Sequence, residues 1–121
     1  GSTYEGEISR YNKNRFVLSA LAFEIASIHA QTDIEKMNYY MEESIRHSPD
    51  LADLYYWFVR LKWKFFRFYN FRGAAPDSLR GSQDDQINNL RLAIKCDPKW
   101  EEPKTLLRQI EEHGWDKMID D

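Results

Sequence analysis

The residues best able to do chemistry in this chain lie within one short stretch. Tyr56, Arg60, Trp63, Lys64 and Arg67 join three cations to two aromatic rings. Arg60, Lys64 and Arg67 stand at i, i+4 and i+7, so on a helix they share one face, with Tyr56 and Trp63 beside them. Trp57, Phe71 and Arg72 flank the same stripe. From Leu54 to Pro76 there are basic residues and no acidic ones, whereas both flanking parts of the chain carry more acids than bases. Such a stripe can recognise an acidic peptide segment or a chain-terminal carboxylate, Arg and Lys taking the charge and Tyr and Trp the anchoring area. It can stack the bases of single-stranded RNA, although the acidic remainder of the surface weighs against this. It can also be structural, with rings in a core and Arg and Lys stems covering apolar surface. A helix lying on a membrane would need a polar face of its own, which the wide apolar face here opposes.

Catalytic and metal chemistry find little support. His29, His47 and His113 are scattered, and none has the carboxylate or cysteine spacing of a metal site. Cys96 falls in the last turn of a helix, where the macrodipole disfavours a thiolate, so a buried or half-buried inert thiol is expected. Glu42-Glu43, Asp84-Asp85 and Glu111-Glu112 are sequence neighbours, which on a helix diverge by about 100 degrees and do not converge on a substrate. Arg72-Gly73 and Arg80-Gly81 lack the spacing of a phosphate-binding loop. The chain is therefore expected to be no enzyme, to use no cofactor and to hold no metal.

The elements that position the stripe read as helices throughout, because apolar residues recur three and four apart and strand-like alternation is not sustained. Val17, Leu18, Leu21, Ile25 and Ile28 make one stripe, ended by Gln31-Thr32-Asp33, which favours a turn and an N-cap. Ile34, Met37, Met41 and Ile45 make a second, closed by His47-Ser48-Pro49. A third helix starts near Asp50 and carries Leu54, Phe58, Leu61, Phe65 and Phe68, with Tyr55, Val59 and Phe66 widening the face so far that contact on several sides is implied. The punctuated run Arg72 to Ser82 reads as a mobile loop. A fourth helix follows Asp84-Asp85 with Ile87, Leu90, Ala93 and Ile94, and ends at Asp97-Pro98. A fifth spans about Trp100 to Glu112, with Pro103 in its first turn and Gly114 just past its end.

At 121 residues with 42% hydrophobic content the chain suits one domain, and a formal net charge of -3 makes it neither a basic nucleic-acid binder nor an acidic tail. A single cysteine excludes an internal disulfide and suits a reducing compartment, so a cytoplasmic location is expected. No stretch approaches the roughly 18 apolar residues of a membrane span. Gly1-Ser2 reads as a scar of tag removal.

Ser44-Ile45-Arg46-His47-Ser48-Pro49 matches Ala93-Ile94-Lys95-Cys96-Asp97-Pro98 in character, with prolines at 49 and 98, 49 residues apart. This resembles the tetratricopeptide repeat, whose second helix ends in a small-aliphatic-x-x-Asp-Pro pattern and whose next helix begins directly after the proline. Asp33-Ile34-Glu35-Lys36 sits where that family enters its second helix, and Tyr55 falls at its first-helix aromatic position. Val59 and Lys62 occupy places the family gives to glycine and an aromatic residue. The resemblance implies an all-α, right-handed array of helix hairpins, an α-solenoid of about five helices. Its first repeat would be 17–49, after a start of the first helix within 3–16, and its second 50–98, with a loop insertion at about 72–83. A capping helix over 99–113 and a tail over 114–121 would follow. The usual repeat is about 34 residues, so roughly 15 extra ones go to the third helix and its loop. The resemblance further implies a protein-binding adaptor or scaffold, its first helices lining a groove where Tyr56, Arg60, Trp63, Lys64 and Arg67 face a protein or peptide. Single-stranded RNA binding and self-assembly within a larger helical scaffold are the alternatives. Two repeats are fewer than the three or more such arrays need, which implies self-association or a longer parent array. The lysine and asparagine pattern of chaperone-binding members is not matched by Lys13-Asn14.

Overall fold

The computed structural model describes residues 2–71 and 83–115, with side chains over 13–67 and 83–115. The loop expected over 72–82 and the tail after Trp115 lie outside the described residues. Among the described residues the fold is all-α, with five helices and no strand. They are α1 (Ser2–His29), α2 (Ile34–His47), α3 (Ala52–Phe71), α4 (Gln83–Cys96) and α5 (Glu101–His113), and each packs on the next along the chain. No helix among the described residues is long and apolar enough to cross a membrane.

Local chemistry sets the helix ends. Asp33 is extended and accepts the Lys36 amide through its carboxylate at 3.1 Å, satisfying one of the orphan donors of α2. Pro103 occupies the first turn of α5, and Gly114 takes a positive φ of 89° past its end, a conformation that costs glycine least. The two repeated motifs form matching turns. α2 and α4 are both 14 residues long and start at residues 34 and 83, 49 apart. The Leu51 amide donates to the Ser48 carbonyl at 3.2 Å, and the Trp100 amide does the same to Asp97 at 3.2 Å. The next helices start at 52 and 101, again 49 apart.

α3 is central. Its buried residues enter all three hydrophobic clusters: Phe58 and Leu61 meet α1 and α2, Tyr55 meets Ala93 of α4, and Val59, Trp63, Phe65 and Phe66 meet Leu90, Leu106, Ile110 and Trp115. At about 1.5–3 kcal/mol for each large apolar side chain removed from water, this one helix supplies much of the folding drive. Trp115, beyond the last full helix, is buried against Phe66, and its amide donates to Gln83 Oε1 at 3.0 Å, so the chain returns to the start of α4.

α1 departs from the pattern that marks it as a helix in the sequence. Val17, Leu18, Leu21, Ile25 and Ile28 are all exposed, and the face that packs on α2 is the row of small residues Ser19, Ala22, Ala26 and Ala30. Small side chains let the two backbones approach, and the approach is locked by a reciprocal serine pair. Ser19 Oγ donates to the Ser44 carbonyl at 2.6 Å, and Ser44 Oγ donates to the Ser19 carbonyl at 2.7 Å. Arg15 Nε donates to the His47 carbonyl at 2.9 Å, which sets Arg15 level with the end of antiparallel α2. α1 upstream of Arg15 therefore runs past that end.

Ser44→Leu is expected to wedge the two helices apart and cost about 1–3 kcal/mol of stability, as overpacked cores do. Ser44→Ala should cost only about 1 kcal/mol, for the hydrogen bonds lost. Urea denaturation of both variants checks this, and a Ser44→Leu protein as stable as the parent contradicts the close contact.

Candidate functional site

α1 and α3 both rest on α2, and between them runs a groove of about 780 Å3. Ala30 and Leu61, both buried in the cluster that ties α1, α2 and α3 together, line its floor. Phe16, Ala20 and Phe23 come from α1, and Trp57 from α3. Glu24, Asp53 and Lys64 place charge along it. Asp53 and Lys64 stand eleven residues apart on α3, about 16 Å at 1.5 Å per residue, so the groove accepts roughly three turns of a helix.

The stripe picked out in the sequence is divided by this arrangement. Lys64 is exposed and lines the groove, with Trp57 about two helical turns before it. Arg67 is exposed, its guanidinium 5.5 Å from the centre of the Trp63 ring. Trp63 itself is buried, only 4% exposed, among α4 and α5 side chains. Tyr56 is half-buried, edge-on to Trp57 at 5.6 Å and to Trp100 at 4.8 Å, and Arg60 is half-buried. The side chain of Phe71 and all of Arg72 lie outside the described residues. The inward turn of Tyr56 and Trp63 has a simple cause, since α3 packs against α2, α4 and α5 and leaves only a narrow free strip. The contribution of α1 escaped sequence reasoning. Phe16 and Phe23 flank the Val17–Ile28 stripe, and only the direction in which Ala22 and Ala26 pack shows that they turn toward α3.

The scattered histidines each end a helix: His29 closes α1 and stacks on Tyr40 at 6.3 Å, His47 closes α2, and His113 closes α5. Among the described residues no three of His, Cys, Asp and Glu converge to hold a metal. Cys96 corrects an expectation, for it is exposed rather than buried. It leaves the end of α4 beside the turn at Pro49, whose carbonyl lies 3.8 Å from its sulfur. Partial burial and the Asp50 carboxylate push its thiol above the usual range, which keeps it a poor nucleophile.

A second hollow, about 500 Å3, opens on another side of α3, where Lys62 lies over the Phe58 ring at 4.5 Å with Glu42, Arg46 and Asp85 around it. Burial holds the Lys62 ammonium below the ordinary lysine range, and the Asp85 and Glu42 carboxylates offset this only in part. A lowered folded pKa means that the folded chain gives up this proton more readily than the unfolded one. Stability therefore rises with pH between the lowered value and the unfolded value of about 10.4. Lys62→Met is expected to raise the urea midpoint at pH 7, with a gain that shrinks as pH climbs toward 10. An unchanged or lower midpoint at pH 7 contradicts the burial cost. Comparison of the chain with models of protein families, with curated proteins and with solved structures gives no match.

Proposed function

We propose that this chain is a non-catalytic interaction module that holds a partner's peptide segment in the groove between α1 and α3. The observation that carries the reading is the groove itself. It is lined mainly by apolar side chains from two helices, bears an exposed tryptophan, and has a lysine eleven residues along α3 from an aspartate. An amphipathic segment fits that chemistry, with its apolar face on Phe16, Phe23 and Trp57 and an acidic residue near Lys64. Arg60 and Arg67 share the Lys64 face and favour the same acidic end. Backbone hydrogen bonds within a helical ligand would be satisfied before binding, so affinity would come from the aromatic anchor and specificity from the charge.

The matching turns after α2 and α4, 49 residues apart, support a short tetratricopeptide-like array of two hairpins closed by α5. In that family the first helix of each hairpin lines the groove, which are the places of α1 and α3 here. Single-stranded RNA is the weaker reading, since Trp63 and Tyr56 turn inward and Asp53 and Glu24 stand on the groove where phosphates would run. A cytoplasmic location belongs to the same proposal and rests on the lone cysteine.

Selection from a displayed library of helical peptides tests the assignment. The parent chain should enrich apolar sequences with an acidic residue at one end. Lys64→Glu should lose those peptides by at least tenfold in affinity or exchange them for basic ones, and Trp57→Ala should weaken all of them. Enrichment that ignores both substitutions, or binding of oligonucleotides instead, overturns the reading.

A further inference from the structure

We infer that the outward face of α1 is a self-association surface and that a second copy of this chain covers it. The face lies beside the groove and shares only its edge residue Ile28 with it: Leu18, Leu21 and Ile25 are absent from the groove lining, while Ala22 and Ala26 on the far side of the helix pack inward. Leu21 is 55% exposed and Ile28 73%, with Val17, Leu18 and Ile25 exposed beside them. Leu18, Leu21, Ile25 and Ile28 are spaced three, four and three apart. That is the narrow seam by which one helix packs along another, each side chain entering a gap between four of its partner's, rather than the broader face of a helix on a core.

The size of the patch argues for a copy of the same chain. Five exposed aliphatic side chains amount to roughly 400–500 Å2, within the range of about 300–600 Å2 of a monomer's largest apolar patch, which is often functional. Two such faces closed on each other, with their flanking turns, bury on the order of 1,000 Å2, the scale at which a specific pair of proteins holds together. The five positions carry no charge, so two identical faces meet without like charges opposed across the seam. The helix is already formed and fixed to α2 by the Ser19–Ser44 pair, so association does not have to order it. A membrane surface is a poorer occupant, because α1 shows no row of cations flanking the seam over its described side chains, only Lys13, Arg15 and Glu24.

Sedimentation equilibrium of the full chain over a wide concentration range, beside a Leu18→Glu, Leu21→Glu variant, decides the matter. Both substituted positions are exposed and lie outside the groove lining, so the helical circular dichroism and peptide binding should stay as in the parent chain. The parent chain is expected to approach the mass of two chains at micromolar concentration, and the variant to remain at the mass of one, a weakening of at least a hundredfold. Leu21→Gln, a milder change, should fall between them. A parent chain that stays single at high concentration overturns the inference. So does a variant that associates as the parent does, which would place the contact elsewhere.

Discussion

The close contact between α1 and α2 governs what this molecule shows to its surroundings. Ser19 and Ser44 exchange hydrogen bonds from side chain to main chain across the interface, and Ala22, Ala26 and Ala30 keep it thin along the rest of its length. A helix that packs through small residues gains little from the hydrophobic effect per contact and more from close dispersion contacts and satisfied polar groups. Its large apolar side chains must then point elsewhere. Phe16 and Phe23 turn toward α3 and build the groove, while Leu18, Leu21 and Ile25 turn outward. One local choice of packing face thus produces two adjoining apolar surfaces on the same helix, with Ile28 at their shared edge.

α3 plays the opposite part. Its apolar side chains reach around nearly the whole helix and are met by α2, α4, α5 and Trp115, so what it leaves free is the strip that carries Trp57, Lys64 and Arg67. Arg67 on that strip holds its guanidinium over the Trp63 ring, a cation–π contact at the edge of the core. The groove is therefore bounded by one helix that is nearly all core and one that is mostly surface.

Much of the fold was legible from residue spacing. Met37 and Met41 on α2, Leu54, Phe58 and Leu61 on α3, and Leu90 and Ala93 on α4 are buried as their periodicity implies, and the two Pro-ended motifs form equivalent turns. α1 was legible as a helix but not in orientation. Hydrophobic periodicity points to the largest apolar side chains, and it passes over Ser19 and three alanines whose value lies in being small. The same bias hid the α1 side of the groove. It also presented Tyr56 and Trp63 as neighbours of the basic stripe without revealing that α4 and α5 cover that flank of α3, because the covering residues arrive more than twenty positions later in the chain.

The orientation of α1 is the point on which groove and seam both depend, and thiol accessibility measures it directly. Single cysteines would be placed at Leu21, Ile25, Ala22 and Ala26 in a Cys96→Ser background, and maleimide labelling rates measured at concentrations low enough to keep chains apart. Fast labelling at Leu21→Cys and Ile25→Cys, with slow labelling at Ala22→Cys and Ala26→Cys, is the expected pattern. Fast labelling at the two alanine positions with protection at 21 and 25 would mean that α1 packs through its large side chains, and neither surface would exist as described.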